Sequence, residues 1–233
     1  MRKKILTIVF ILAGIIFLWL TVRYGFTVVK IEDVEKAILS ETFDPVAYVD
    51  GIWNSRLLPA FEEKGVDLYK ILEEIDLDEN STATKDDLTG IANTYGLITV
   101  GEAHVYMVKG TGKIVAVNTA TSLGTAEVQL DGYDGPIKVL VYIGARIPSD
   151  ESSVRDAVGF ITFGDFREQT EYGKVASEIN KRVLADVLGP INKDDLIGKS
   201  ISFQGAFNIR TFNLIQIDLK EIRIVPVEMQ LGE

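Results

Sequence analysis

The side chains whose types could do chemistry are concentrated between Ser153 and Tyr172. Ser153, Arg155 and Asp156 precede a run containing Phe160, Phe163, Asp165, Phe166, Gln169 and Tyr172. Planar hydrogen-bonding groups mixed with aromatic rings are what sugar recognition uses, because rings stack on apolar sugar faces while Asp, Gln and Arg read the hydroxyls. The same residues admit a structural reading. In it, Arg155 and Asp156 form a buried link, the three phenylalanines are core, and Asp165 caps a helix.

Elsewhere the sequence excludes more chemistry than it offers. The chain has no cysteine, which removes disulfides, zinc–thiolate sites, iron–sulfur clusters and thiol nucleophiles. Its one histidine, His104, rules out histidine triads and multi-histidine metal sites, and its place at the start of a strand predicts a surface residue. With 34 Asp and Glu, two carboxylates could flank a glycosidic bond, but spacing does not choose among them. Gly198-Lys199-Ser200 imitates the end of a phosphate-binding loop. The glycine that opens that motif would stand at position 193, which is Lys193, and a strand rather than a helix follows. Asp76, Asp78 and Asn80 have the first spacings of a calcium loop, yet Ser81 replaces its glycine and Asp87 its closing glutamate. No metal and no other cofactor is expected.

The elements that must position the cluster fall into two groups. From Ile31 to about Tyr95 the pattern is helical. Asp44-Pro45 reads as a cap and first-turn proline opening a helix that carries Val46, Val49, Ile52 and Trp53, with Pro59 interrupting it. Val66, Leu68, Tyr69, Ile71, Leu72 and Ile75 give a second helix, and Thr84 with Asp87 caps a third.

From Ile98 the period turns to alternation. His104–Lys109 and Lys113–Thr119 read as one strand bent at Gly110 and Gly112, followed by Thr125–Leu130 and Ile137–Ile143. Asp165 and Glu168 then form a capping box for a helix whose buried stripe is Tyr172, Val175, Ala176, Ile179, Val183 and Val187, ended by Gly189-Pro190. Ser200–Phe207 and Leu214–Val225 are the last strands, with Asn208–Asn213 as the turn. Three strands, a helix and two strands is the order of an OB-fold, a five-stranded barrel with a helix between strands 3 and 4; a small mixed sheet carrying the helix on one face is the alternative.

The run from Ile5 to Val22 carries no charge over 18 residues, close to the roughly 17 to 25 needed to cross a bilayer. Arg2, Lys3 and Lys4 before it predict a cytoplasmic N-terminus and an extracytoplasmic remainder, anchored by one pass through the inner or plasma membrane. A cleaved signal peptide is the competing reading, and it lacks small residues at the exit, which runs Trp19-Leu20-Thr21-Val22-Arg23-Tyr24. The formal charge of −10 becomes more negative once that basic tip is set apart, so nucleic acid is not an expected partner. The division expected is 1–30 for the tip and anchor, 31–96 for a helical subdomain, and 97–233 for an OB-like barrel, an α+β chain overall.

One further pattern spans nearly the whole external part. It comprises Phe43-Asp44-Pro45, Tyr48-Val49, Trp53, Pro59, Lys109-Gly110-Thr111-Gly112, Ile143-Gly144, Arg155-Asp156-Ala157, Phe160, Phe163, Asp165-Phe166, Gln169, Tyr172, Val175-Ala176, Asn180, Gly198-Lys199 and Gly205-Ala206-Phe207. In these residues the chain resembles the predicted periplasmic lipoproteins, a family with a domain of unknown function often encoded beside ribose-type sugar ABC transporters. The resemblance implies an OB-like barrel with a helical subdomain outside the inner membrane, and it implies no activity. Family members often carry a lipid-attachment cysteine, which this sequence lacks, so the apolar helix would substitute as anchor.

The expected function is therefore a non-enzymatic accessory protein that binds a component of a sugar transporter, or the sugar itself. Arg155, Asp156, Asp165, Gln169, Tyr172 and Asn180 are the candidate ligand-binding residues. The alternatives are a cell-envelope glycan hydrolase with paired carboxylates, and a purely structural assembly factor.

Overall fold

The computed structural model describes residues 42–193 and 195–232, with Gly14, Phe17, Trp19, Thr21 and Arg23 before them. The expected anchor Ile5–Val22, apart from four of those positions, and the segment 31–41 lie outside the described residues. Among the described residues no helix is long and apolar enough to cross a membrane. The chain divides into two units, Met1–Phe43 and Asp44–Glu233, and the second contains every element from α1 onward.

This second unit opens as its sequence dictates. The Asp44 side chain accepts from the amides of Val46 and Ala47 at 2.9 and 3.2 Å, Pro45 occupies the first turn, and α1 runs Pro45–Ile52. Pro59 does not break the helix. The irregularity falls one turn earlier, in a π-turn at Trp53–Leu57, after which α2 continues over Leu58–Lys64 with Pro59 in its first turn. Proline clashes with the carbonyl four residues before it, and widening the preceding turn relieves that clash.

Val66 is a strand residue, not a helical one. Val66–Asp67 (β1) pairs parallel with Val108 and Lys109, and α3 begins only at Leu68, running to Glu73. The polar stretch after it holds a short β2, Thr82–Thr84. Thr84 then caps α4, Lys85–Tyr95, accepting from the Asp87 amide at 3.2 Å. The calcium-like acids serve this turn: Asp78 accepts from the Asn80 and Thr82 amides, both at 2.8 Å, and these bonds hold its carboxyl below the usual range.

The barrel follows. Its strands are β4 (Ala103–Asn118), β5 (Thr125–Leu130), β6 (Lys138–Tyr142), β7 (Ser200–Arg210) and β9 (Glu221–Leu231). They pair in the order β4-β5-β6-β9-β7, and β7 returns to β4, so the sheet closes on itself and the open mixed-sheet alternative is set aside. The β6–β9 pair is parallel and the others are antiparallel. A two-residue β3, Leu97–Ile98, adds to the outer edge of β4.

The last strand lies further along the chain than its sequence pattern predicts. Gln216–Asp218 (β8) leaves the barrel to pair with β2, and the barrel strand begins at Glu221 and runs six residues beyond Val225. Pro226 is tolerated within it because it stands at the irregularity opposite Gly205, where the ladder is already interrupted.

β4 has two partners in succession, β7 along Ala103–Lys113 and β5 from Gly112 onward. At the handover a Cβ on Gly112 would sit 2.3 Å from the Gln129 carbonyl oxygen, and one on Gly110 would sit 2.8 Å from both the Leu130 and Phe203 side chains. The interior holds Tyr106, Val108, Ile114, Phe203 and Phe207, with the Tyr106 and Phe207 rings stacked at 4.8 Å. Leu68, Ile71, Leu88 and Ile91 of α3 and α4 join the same core.

The helix between β6 and β7 packs elsewhere. α6, Gln169–Arg182, lies against α1 and the short α5, Ser153–Ala157, and extends through a π-turn at Val183–Val187. Its expected capping box is displaced by three residues. Thr162 and Asp165 make the reciprocal bonds on the 3₁₀ turn Phe163–Asp165, whereas the side chain of Glu168, the cap residue of α6, caps no helix amide and accepts instead from the Thr170 hydroxyl at 3.0 Å. Val175, Ala176, Ile179 and Val183 are buried as expected; Tyr172 is half-buried, and Leu188 rather than Val187 fills the last buried position.

Gly112→Ala tests the handover directly. Because the obstruction is backbone rather than a movable side chain, the variant should lose at least about 1–3 kcal/mol of unfolding free energy in urea titration, the range for overpacking a tight site.

Candidate functional site

The sequence cluster comes together on the side of α5 and α6 that faces the β3–β4 hairpin. α5 aligns Arg155 and Asp156, and the first turn of α6 brings up Tyr172. The Arg155 Nε and Nη2 donate to Asp156 Oδ1 at 2.8 and 2.7 Å, while Nη1 donates to the Tyr172 carbonyl at 3.0 Å. The Tyr172 hydroxyl also donates to Asp156 Oδ1, at 2.9 Å, and the Ser152 hydroxyl donates to Oδ2 at 2.7 Å. The guanidinium lies 3.5 Å above the Tyr172 ring. Burial, reinforced by the Asp156 charge, pushes the Tyr172 hydroxyl up to about 12.

Arg155 is only 8 % exposed, so this is a desolvated, mutually satisfied triad. The structural reading of the Arg155–Asp156 link holds in that respect. It fails for the aromatics: Phe163 is 55 % exposed, and Phe160 and Phe166 are half-buried. Phe160 lies under the Arg56 guanidinium, 4.0 Å from it, and Phe166 packs at 5.5 Å from Tyr48 and 5.6 Å from Tyr172.

Between the triad and the hairpin runs a cleft of about 660 Å³. Arg155, Asp156, Gln169 and Tyr172 line one wall, and Leu97–Gly101 line the other, with Gly159, Ile161 and Phe163 between. Four of the six candidate residues thus share one cavity. The other two do not line it. Asp165 accepts from the Thr162 amide and hydroxyl, both at 2.9 Å, which holds its carboxyl below the usual range. Asn180 donates to the Glu151 carbonyl at 2.8 Å and so fastens α6 to the loop before α5.

Sequence reasoning missed the hairpin wall, since Leu97, Ile98 and Val100 read as ordinary strand residues. A signal was present in the glycines at 96 and 101, which bracket a short apolar run too brief for a core strand. A second cleft, of about 520 Å³, lies beside Tyr142, Asp150, Arg210 and Arg223. Its charges pair off as Arg210 with Asp150 at 3.0 Å and Arg223 with Glu221 at 2.5 Å. Gly198-Lys199, the phosphate-loop imitation, is the turn into β7, with the Gly198 amide donating to the Ile114 carbonyl at 2.8 Å.

His104 is not a surface residue. It is 1 % exposed, because β3 and β7 flank β4 on both sides at that point and Thr211 lies over the ring, its Oγ1 at 3.5 Å from Nε2. Burial lowers the imidazole pKa, the nearby Lys85 lowers it further, and Glu102 opposes both.

A closed five-stranded barrel in this order, with one parallel pair, is an OB-fold. Comparison with solved structures agrees: the chain is similar to a crystal structure of an OB-fold protein from Thermotoga maritima, with a TM-score of 0.61 and 19% identity over 82% of this chain and 100% of that one. Likeness at that identity speaks for fold alone. The family model described as Predicted periplasmic lipoprotein (DUF2291) matches residues 15–230, and the chain belongs to that family. No match was found among curated proteins. The family is an extracytoplasmic, membrane-anchored one by its description, and the 233 residues contain no cysteine to carry a lipid.

Two measurements check the site. Asp156→Ala strands a buried guanidinium and should cost about 3–5 kcal/mol in chemical denaturation, whereas replacing both partners, Arg155→Met with Asp156→Leu, should cost clearly less. For His104, the folded pKa is depressed, so the unfolded chain binds the extra proton first and stability falls as pH drops through the ordinary imidazole value. Urea unfolding from about pH 7.5 to about pH 5.5 should show that decline, and His104→Leu should flatten it.

Proposed function

We propose that this protein is a non-enzymatic, membrane-anchored extracytoplasmic accessory protein that docks a partner protein along the Arg155–Tyr172 cleft. The partner that the family resemblance implies is a component of a sugar ABC transporter. One observation carries the reading. Arg155, Asp156 and Tyr172 are consumed by one another, while Leu97, Ile98 and Phe163 stand exposed at the rim of the cleft.

A sugar site needs polar groups free to replace the water lost by each hydroxyl, and of the four lining candidates only Gln169 stands exposed at the rim. Exposed apolar and aromatic side chains around a fixed polar patch are instead the composition of protein contacts. Carboxylate chemistry finds little support here as well. Among the described residues Asp156 is the one carboxylate lining this cleft, and its oxygens already accept from Ser152, Arg155 and Tyr172, whereas glycoside hydrolysis works with a pair.

The test is affinity purification of the tagged full chain from membranes. A transporter component should co-purify, and Phe163→Asp should reduce its recovery about tenfold or more, the loss of a modest hot spot, without lowering the melting temperature. If nothing co-purifies and a free sugar raises the melting temperature of both wild type and variant, the protein-docking reading is wrong and the sugar reading replaces it.

A further inference from the structure

His104, the one histidine of the chain, is buried near the start of β4, and its Nδ1 has no hydrogen-bond partner among the described residues. Its other ring nitrogen meets Thr211, a residue also closed off from solvent, whose Oγ1 lies 3.5 Å from Nε2. The Thr211 hydroxyl spends its single hydrogen on the Glu102 carbonyl, so toward the ring it can only accept. That assigns the proton of the neutral imidazole to Nε2 and leaves Nδ1 with a lone pair facing no donor. A second proton would arrive at Nδ1.

An N–H formed there would meet no acceptor, and its charge no free counter-charge. Burial disfavours the imidazolium and the Lys85 ammonium of α4 disfavours it further; the Glu102 carboxylate favours it, but is already taken up by that ammonium at 2.6 Å. The other neighbours do not compensate. β3 places Ile98 beside His104, and β7 places Ile209 opposite it, followed by Arg210, which pairs with Asp150 at 3.0 Å. On β4 itself Tyr106 shares the face of His104, and burial keeps its unpartnered hydroxyl neutral. A proton on Nδ1 is accommodated only when the ring moves toward water.

The ring lies at the joint that holds the hairpin wall of the cleft. The Glu102 carbonyl accepts from the Thr211 amide at 3.2 Å as well as from its hydroxyl. Inside the turn, the Glu102 amide donates to the Thr99 carbonyl at 2.9 Å and the Ala103 amide to the Thr99 hydroxyl oxygen at 3.1 Å. Glu102 stands at φ 56°, a conformation that is costly without a glycine and persists where its surroundings enforce it. Thr211 supplies that enforcement. Thr99, Val100 and Gly101 of this turn line the cleft, so parting Thr211 from Glu102 loosens the wall facing Arg155.

We infer that His104 is a proton-operated latch on the docking cleft: a proton taken at Nδ1 drives the ring from its place against Thr211, releases the Glu102 carbonyl and frees the Thr99–Glu102 turn. Its consequence, loss of the docked partner in mild acid, rests on the docking reading above. The release itself does not.

The test uses the full chain in detergent micelles. With one histidine, imidazole nitrogen NMR has a single ring to report, and at about pH 7.5 it should show the Nε2–H tautomer. Hydrogen exchange, corrected for the intrinsic rate, should show protection at 97–103 and 211–215 falling several-fold between about pH 7.5 and about pH 5.5, while β5 and β9 hold theirs. The fall approaches about tenfold if the released ring titrates at its ordinary value of about 6.5 and the buried ring stays unprotonated. His104→Gln, which keeps a side-chain donor but does not titrate, should remove this dependence. An Nδ1–H tautomer, unchanged protection, an equal loss in every strand, or a loss that survives His104→Gln overturns the inference. In co-purification, recovery of the partner should drop at the lower pH for wild type and not for His104→Gln; equal recovery by wild type at both overturns the control of docking. Hairpin release without any partner at either pH sinks the docking reading and leaves the latch standing.

Discussion

The structure depends on one strand serving two neighbours. β4 is paired to β7 until Lys113 and to β5 from Gly112, so its hydrogen-bonding edge changes hands over two residues. A strand can do this only where the chain bends and the partners crowd in, and there a side chain would collide with the Gln129 backbone. Closure of the ring follows from that handover. So does the cleft, because the start of β4 is left to carry β3 on its outer edge, and the hairpin so formed is the wall that faces Arg155.

Much of this was legible in residue types. Asp44-Pro45 and Thr84 with Asp87 announced their helices, because capping is a local interaction that needs nothing from the rest of the fold. The glycines at 110 and 112 marked the bend for the same reason. Other features depended on distant partners and left no local trace. Val66 is extended because Val108 lies beside it, and Gln216–Asp218 leaves the barrel because Thr82–Thr84 offers a ladder. His104 is buried between β3, whose Ile98 is its near neighbour in sequence, and β7, whose Ile209 is not, and the second of these no reading of its immediate neighbours could supply.

The candidate site divides along the same line. That Arg155 and Asp156 pair could be read from their adjacency, and Tyr172 joins them because α6 folds back over α5. That the pair is wholly satisfied from within required the Ser152 and Tyr172 hydroxyls and the Tyr172 carbonyl to arrive together. A charge pair desolvated to this degree contributes little net binding energy to a third party, since its attraction is already discharged. The cleft therefore offers a partner shape and an apolar edge more than it offers charge, and the strongly acidic remainder of the chain acts at longer range as a filter against anionic visitors.

The position of β9 in the ring bears on how the barrel comes together. Glu221–Leu231, the last strand in sequence, sits between β6 and β7 and hydrogen-bonds to both. Until those residues are present, two sheet edges stay open and the interior has no fifth wall. Ring closure therefore waits on pairings between strands far apart in the chain, β4 with β7 and β6 with β9, and such non-local pairings form more slowly than local hairpins.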